Sequence, residues 1–465
     1  QDGILARLRH PVWAYALFEA CIGLWMLAFP AISDFVFGWY AELVTGATVA
    51  GTTALAARVT VAGVLILPLS LSMGATLPCL AWAVDRVHPG QGVRLVSRYY
   101  YVNAAGGALG CLLGGFVLIE ALGLELPLTI CAAANLAVAV GVYRIFRTAP
   151  DGVDQAPTEE VAESSVEGSP AVSWFVVAAC ATGFVTLVYE VVWTRLSGLL
   201  LGASVYAFAL MLFVVIAGIS IGSAIATRLV ARGASPLKIF AISQWLAAAF
   251  AIGLLYRLGR LPIEMLWIRA DLEPTTANYA TWLFKGGGYA AMHYAPAAMA
   301  LGAAFPALLA GAKAAGVRTS KATAWILGSN TIGNLIGALL GGFVLLPTLG
   351  VRWVLVAGSA VSLVAGTLCL PRPLRPRSIA IPALMAIVIA TGLALAPPHI
   401  EPLYRGLFRL RGTPPQLRQQ LKINLGGRTL FRQDGKDCSV SVEAYGDGKH
   451  RVFRLNGKPD GSSVE

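Results

Sequence analysis

Residues 330–350 read NTIGNLIGALLGGFVLLPTLG, and residues 103–123 read NAAGGALGCLLGGFVLIEALG. The two segments align without a gap at an offset of 227 residues. Two further pairs align at nearly the same offset: MGATLPCLAWA at 73–83 with LGAAFPALLAG at 301–311, and HPVWAYALFEA at 10–20 with SPLKIFAISQW at 235–245. Repetition at a fixed spacing is typical of a duplicated structural unit. The sequence therefore predicts two homologous apolar repeats.

The composition places these repeats in a membrane. The 465 residues are 57% hydrophobic and 13% charged, whereas soluble domains carry about 25% charged residues. Apolar runs of about 18 residues or more indicate transmembrane helices, so we predict an all-α polytopic membrane protein rather than a soluble enzyme, a disulfide scaffold or a disordered regulator. The predicted spans are 12–32, 55–82, 99–119, 124–143, 173–194, 203–226, 239–256, 289–310, 324–347, 352–370 and 379–396.

The basic residues indicate an orientation. The net charge of +11 arises largely from short inter-helix loops and the tail, which argues against a nucleic-acid partner. With a cytoplasmic N-terminus, the inner loops hold 16 Lys and Arg residues and the outer ones hold 7. Since cytoplasmic loops are enriched in Lys and Arg, we predict this orientation. Eleven crossings then place residues 397–465 on the outer, periplasmic face, and one miscounted helix would reverse that side.

The repeats define the predicted domain organisation. Two parallel repeats of six helices are the plan of major-facilitator-type transporters. The first repeat shows only four helices, so we expect about two helices to precede Gln1. The predicted parts are a first repeat at 1–150, an acidic cytoplasmic linker at 151–170, a second repeat at 171–370, an additional helix at 371–396, and a β-rich segment at 397–465.

Polar residues inside the predicted spans are the candidates for a substrate path, because intramembrane charges are costly and often functional. Glu190 and Arg195 lie about 140° apart on one helix, so each is expected to meet a different neighbour. Structural ion pairs and interhelical hydrogen bonds are the alternative interpretation. The candidates are Glu19 and its repeat counterpart Gln244, the paired Asn103 and Asn330, and Tyr189, Glu190, Trp193 and Arg195 on one helix.

Glycines at four-residue spacing follow both asparagines. They are Gly106, Gly110 and Gly114 in the first repeat, and Gly333, Gly337 and Gly341 in the second. Each series lines one helical face, where small residues allow another helix to approach closely. We interpret both series as packing surfaces.

Metal and nucleophilic chemistry have no recognisable pattern in the sequence. Six of the seven cysteines lie in apolar runs, none forms a CxxC motif, and the histidines are scattered. We therefore predict no metal site and name no catalytic residue. The tail differs in character, since CSVSVEAY and RVFRL alternate as strands do and glycine turns separate them. A small β-hairpin or meander is expected there.

The segments YEVVWTRLSGLLLGASVYAFAL at 189–210, SMGATLPCLA at 72–81 and the NxxGxxxG…GGF runs resemble the fused major-facilitator/spermidine-synthase-like membrane proteins of bacteria. The tail segment 431–463 is similar to the start of the polyamine-synthase module, a small β domain that precedes a catalytic Rossmann-like domain.

This resemblance implies an aminopropyltransferase that uses decarboxylated S-adenosylmethionine, or a related enzyme that uses S-adenosylmethionine. The nucleotide site would lie in the Rossmann-like domain, which would begin after Glu465, so no cofactor is expected in this chain. By resemblance, the residues nearest a substrate mouth are Asn456, Gly457, Lys458 and Asp460.

Three functions remain open at this point. The first is a membrane-integrated spermidine-synthase-like transferase of polyamine biosynthesis, whose helices bind or deliver a small amine or another substrate. The second is a major-facilitator-like transporter of polyamines or other small solutes with a regulatory domain outside the membrane. The third is an assembly or scaffold subunit. The lipid bilayer is the expected partner, with a homo-oligomer or another protein as further possibilities.

Overall fold

The computed structural model describes residues 11–45, 51–88, 90–147, 170–270, 272, 276–370, 376–395, 398–446 and 448–463. The predicted acidic linker 151–170 lies outside them, apart from Pro170. The α-helices are α1 (Pro11–Thr45), α2 (Gly51–Val87), α3 (Gly92–Leu113), α4 (Ile119–Leu122), α5 (Glu125–Arg147), α6 (Pro170–Leu201), α7 (Val205–Ala231), α8 (Pro236–Arg257), α9 (Leu261–Ala270), α10 (Thr276–Gly302), α11 (Ala304–Ala314), α12 (Thr319–Leu340), α13 (Leu346–Leu368), α14 (Pro376–Leu395) and α15 (Pro414–Gly426).

Within the described residues, nine helical stretches are long and apolar enough to cross a membrane, as in a multi-pass membrane protein. Two differences separate this number from the eleven predicted spans. The predicted spans 324–347 and 352–370 fall in one helical stretch of 50 residues, Thr319–Leu368, which is interrupted at Gly350. The last predicted span corresponds to the shorter apolar stretch Ile379–Leu395.

The outer surfaces of these helices are apolar. Phe35, Leu124 and Leu395 expose 77%, 70% and 80% of their surface, and large apolar side chains are exposed along most of the helices. Soluble monomers rarely expose contiguous apolar surface on this scale. The exposure is therefore consistent with contact to lipid.

The chain forms two compact units. Of the described residues, the first comprises 11–45, 51–88, 90–99, 116–147 and 317–324. In it, α1 packs against α2 and α5: the Trp25 indole donates to the Leu65 carbonyl oxygen at 3.2 Å, and Trp13 meets Tyr143 edge to face. Asp85, near the end of α2, accepts a hydrogen bond from the Ser320 backbone N–H at 2.6 Å.

Of the described residues, the second unit comprises 100–115, 170–270, 272, 276–316, 325–370, 376–395, 398–446 and 448–463. Its helical part is built around α6, which contacts α7, α10, α11 and α13. Close approach depends on glycine where α7 meets α10, because a Cβ at Gly222 would lie 1.8 Å from the Met299 carbonyl oxygen. Helix α8 packs on α13 through a core that includes Ala241, Trp245 and Leu363.

The two GGFVL segments have the same backbone conformation. Both Gly114–Leu118 and Gly341–Leu345 form a π-helical turn. Nine residues after the first glycine of each segment, the chain passes through a glycine with positive φ, Gly123 (φ 73°, ψ −157°) and Gly350 (φ 72°, ψ 167°). Only glycine adopts such angles without strain. Gly123 therefore fixes the corner between α4 and α5, and Gly350 fixes a break inside α13.

The tail forms an antiparallel meander, as predicted. Its strands are β1 (Arg428–Asp434), β2 (Ser439–Tyr445), β3 (His450–Leu455) and β4 (Lys458–Ser462), paired in the order β1-β2-β3-β4. Short 3-10 turns at Glu401–Arg405 and Leu407–Arg409, followed by α15, precede the sheet. A buried ion pair joins β2 to β3, with Arg454 Nε 2.6 Å from Glu443 Oε2.

Candidate functional site

The polar and aromatic residues at 189–195 lie on different faces of helix α6. They contact the helical core, a cavity among the helices, and the sheet of the tail. Tyr189 and Trp193 are fully buried. The Tyr189 hydroxyl lies 3.0 Å from Ser359 Oγ, and the Trp193 ring lies 5.7 Å from the Tyr189 ring and 6.0 Å from the Tyr294 ring. Neither residue lines the two cavities described below. Both therefore anchor α6 within the second unit.

The first cavity, which we name the helical cavity, lies among the helices of the second unit and has a volume of about 200 Å³. Apolar side chains of α7, α10 and α11 form one part of its wall. The polar residues that line it are Tyr100, Thr182, Thr186, Glu190, Asn330 and Asn334.

Glu190 is the charged residue among those that line the helical cavity. Its side chain is half-buried, and no described residue forms an ion pair with its carboxylate. The neighbouring hydroxyls of Thr182 and Thr186 donate to the backbone of α6 itself, at 2.8 Å in both cases. Because hydroxyls used in this way retain only acceptor capacity, they add to the acceptor character of the cavity.

The two asparagines of α12 extend this acceptor character. Asn330 donates from Nδ2 to the Ala179 carbonyl oxygen at 3.2 Å, and its Oδ1 accepts from Asn334 Nδ2 at 3.4 Å. Asn334 Oδ1 is buried, and no described residue donates to it. The cavity thus offers a carboxylate and an unpartnered amide oxygen, and a buried acceptor without a donor is costly. A ligand that carries N–H donors and a positive charge would satisfy both groups.

The other intramembrane candidates lie elsewhere. Glu19 belongs to the first unit, where the Tyr15 hydroxyl bonds to it. Asn103 is exposed on α3. Gln244 is fully buried on α8, and neither of its amide atoms has a partner within the described chain. Of the two predicted polar pairs, only Asn330 lines a described cavity.

Arg195 lines the second cavity and joins α6 to the sheet. Its Nη2 donates to the carbonyl oxygens of Gly435 and Lys436, at 2.7 and 3.0 Å, and its Nη1 lies 3.4 Å from Ser439 Oγ. The adjacent Asp434 accepts from the Val351 backbone N–H at 3.2 Å. The loop between β1 and β2 is therefore fixed to the start of α13 and the end of α6.

Tyr404 also bonds to Asp434, and burial raises the pKa of its phenol. Its hydroxyl donates to Asp434 Oδ2 at 2.9 Å. Burial and the negative charge of Asp434 raise the pKa of the Tyr404 phenol well above its ordinary value, and Arg432, whose guanidinium lies over the Tyr404 ring, opposes this shift. The phenol therefore remains a donor to Asp434 at neutral pH.

The second cavity, which we name the junction cavity, lies between the ends of α6 and α7 and the sheet, and has a volume of about 350 Å³. Its polar lining includes Arg195, Ser204, Lys436, Asp437 and Asn456. Thus Arg195, predicted from the membrane segment, and Asn456, predicted from the tail, line the same cavity.

The remaining tail candidates have local structural contacts. Asn456 (φ 47°) and Gly457 (φ 74°) form the two-residue turn between β3 and β4, a conformation that favours Asn-Gly. Asn456 Oδ1 accepts from the Ser439 backbone N–H at 2.9 Å. Lys458 pairs with Asp460 at 3.1 Å on the surface. Among these four, Asn456 alone lines the junction cavity.

Three residues that line the cavities were not predicted as site residues from the sequence: Asn334, Lys436 and Asp437. Asn334 follows Asn330 by four residues, which places both on one helix face, so this spacing was a usable signal. Lys436 and Asp437 carry no such pattern, since their position depends on the docking of the β1–β2 loop. Within the described chain, no group of three or more His, Cys, Asp or Glu residues could hold a metal ion.

No protein-family model, curated protein or solved structure matches this chain.

Proposed function

We propose that this multi-pass membrane protein binds a small amine-bearing solute in the helical cavity, with Glu190 as the counter-charge. The observation that carries the proposal is that the Glu190 carboxylate and Asn334 Oδ1 line one cavity, and that among the described residues the carboxylate has no ion-pair partner and Oδ1 has no donor. An ammonium group supplies three N–H donors and a positive charge, which the Glu190 carboxylate and the Asn334 amide oxygen can accept.

The size and position of the cavity favour a small, slender ligand. Sites for drug-sized molecules usually measure about 300–1,000 Å³, and the helical cavity, at about 200 Å³, is smaller. Its walls include Phe305 and Leu308, which suit the methylene groups of an aliphatic amine. A linear polyamine has this combination of charged ends and an apolar stem.

We infer from the resemblance of the tail and the 189–210 segment that the helical part serves a spermidine-synthase-like transferase, to which it delivers or presents the amine. The docking of the sheet on α6 supports this inference, because Arg195 and Glu190 belong to the same helix.

Transport of the amine is a second candidate, and the paired backbone features favour it. The two π-helical turns and the positive-φ glycines at Gly123 and Gly350 recur at the offset of the sequence repeat. They support a duplicated, major-facilitator-like architecture, in which substrates bind near the midplane of the membrane.

Binding and uptake by the purified chain in proteoliposomes test the two candidates. We expect spermidine binding, measured by calorimetry, to weaken about tenfold or more in Glu190→Gln, because a buried charge-assisted contact is lost. Glu125→Gln is the matched control, since Glu125 is exposed in the first turn of α5. Uptake of labelled spermidine by the wild-type protein indicates transport, whereas binding without uptake favours delivery.

Two results would contradict the binding site. One is unchanged spermidine affinity in Glu190→Gln. The other is equal loss of affinity in Glu190→Gln and Glu125→Gln, since the effect would then not depend on the cavity. Asn334→Leu, which removes the free amide oxygen, should also weaken binding, by about fivefold.

The side of the tail is tested separately. We propose that the protein lies in the bacterial inner membrane with the sheet on the periplasmic face. Cys438, at the sheet, is partly exposed, and the remaining cysteines can be replaced by serine or alanine. Labelling of Cys438 by an impermeant thiol reagent in intact cells supports this orientation, and labelling only after membrane rupture reverses it.

A further inference from the structure

We propose that the junction cavity binds an oxyanion, supplied by the headgroup of an anionic phospholipid. The proposal is independent of the amine site, because the junction cavity and the helical cavity share no lining residue.

The charges that line the junction cavity favour an anion. Arg195 and Lys436 are positive, and Asp437 is the one acidic residue among the lining residues. The contacts of Arg195 with described residues are to carbonyl and hydroxyl oxygens, which do not cancel its charge. The ammonium of Lys436 lies 5.6 Å from the centre of the Phe343 ring, another neutral partner. The cavity therefore retains a net positive charge.

The polar groups at the cavity are mainly donors. A guanidinium has five N–H donors, and the contacts of Arg195 with described residues number three. The Oδ1 of Asn456 is occupied by the Ser439 N–H, which leaves its NH₂ group as the polar end. Helix α7 begins at the cavity with Ser204 as its N-cap, and the positive end of a helix favours anions.

The apolar lining and the position indicate a lipid as the source. Val191, Ala207, Phe208 and Leu346 line the same cavity. The apolar stretch Ser173–Leu201 ends there and the next, Val205–Ala231, begins there, which is the level at which headgroups meet the hydrocarbon region. The volume of about 350 Å³ falls within the range of small-molecule sites. A phosphate beside an acyl chain matches this combination of donors and apolar surface.

The test measures lipid binding to the full chain in detergent by native mass spectrometry. Phosphatidylglycerol is compared with diacylglycerol, which has the same chains and no phosphate. We expect phosphatidylglycerol to bind more tightly. Lys436→Gln should weaken its binding about fivefold, because one basic residue near the headgroup contributes about that factor. Asp437→Asn should tighten it, since the repelling carboxylate is removed.

Lys422→Gln is the control, because Lys422 is exposed on α15 and does not line the cavity. Equal binding of both lipids, or unchanged affinity in Lys436→Gln and Asp437→Asn, overturns the proposal. A general loss of structure would weaken binding in both variants, so the opposite signs separate a binding role from a structural one. Inorganic phosphate is added alone as a third arm: binding with the same variant pattern supports the oxyanion site and assigns it to a soluble phosphate.

Discussion

The glycine faces of α3 and α12 share the same Asn and Gly spacing, but only the face on α12 is closely packed against another helix. On α12, a Cβ at Gly333 would lie 2.0 Å from the Cys180 carbonyl oxygen, and one at Gly337 would lie 2.4 Å from that of Phe184. On α3, a Cβ at Gly106 or Gly110 would meet no described atom within 4 Å. The glycine pattern therefore specifies a surface that permits close packing, and the partner helix decides whether it is used.

The asparagines that precede these glycines differ in the same way. Asn330 donates to the backbone of α6 and lines the helical cavity, whereas Asn103 is exposed. A cavity thus forms where the glycine face brings two helices together beside a larger polar side chain. The exposed Asn103 lines neither of the two cavities.

The largest expected effect comes from adding a methyl group to each glycine face. We expect Gly337→Ala to destabilise the protein by about 3 kcal/mol, since overpacking forces α6 and α12 apart. Gly110→Ala should be neutral or stabilise by up to about 1 kcal/mol, because alanine favours the helix. Thermal unfolding in detergent measures both, and equal destabilisation would show that α3 is also closely packed.

Gly123 and Gly350 both have positive φ, so we expect substitution at either glycine to destabilise the protein by a similar amount. Alanine at Gly123 or Gly350 should cost about 2 kcal/mol, because both positions have angles that side chains rarely adopt. A marked difference between the two variants in thermal unfolding would argue against equivalent helix corners. Gly253→Ala, at a helical glycine of α8 with no described atom within 4 Å of its Cβ, is the reference.

The corner at Gly350 has a contact with the sheet that gives a pH dependence. Tyr404→Phe removes the hydroxyl that donates to Asp434, with an expected loss of about 1.5 kcal/mol at neutral pH. Because the pKa of Tyr404 is raised above 10.0 in the folded protein, its contribution is complete below that pH. This contribution is lost as the pH rises through the pKa of Tyr404 in the folded protein.

Limited proteolysis of the tail between about pH 9 and about pH 12 measures this dependence. The wild-type tail should become more susceptible at the alkaline end, and Tyr404→Phe should show a smaller change. Identical profiles for the two proteins would mean that Tyr404 does not hold the sheet.

The smallest expected effect distinguishes the two asparagines. Asn330→Ala should destabilise the protein by about 0.6 kcal/mol, the average value for hydrogen bonds between membrane helices. Asn103→Ala should have no measurable effect, since Asn103 is exposed. The same thermal unfolding assay applies, and a larger effect at Asn103 would reverse the comparison.

Much of the fold follows from local sequence patterns. Apolar length predicted the long helices, and the alternation in CSVSVEAY and RVFRL predicted β2 and β3. The break between the predicted spans 324–347 and 352–370 matches the interruption at Gly350. These features depend on residues near one another in the chain, so the sequence alone carries them.

The sites depend on long-range packing, and the sequence predicted them only in part. Glu190 and Asn330 were selected as intramembrane polar residues, yet Tyr189 and Trp193 beside them are buried in the packing of α6. The partners of Arg195 are mainly backbone carbonyls, and any residue can supply these. No residue type therefore marks that contact in advance.

Because Glu190 and Arg195 belong to one continuous helix, the two cavities are joined by a rigid element. A ligand that moves α6 in the helical cavity also moves the anchor of the sheet, about one and a half turns further along. If both proposed ligands bind, thermodynamic linkage requires a reciprocal effect: whatever factor the amine imposes on the affinity for the oxyanion, the oxyanion imposes on the affinity for the amine.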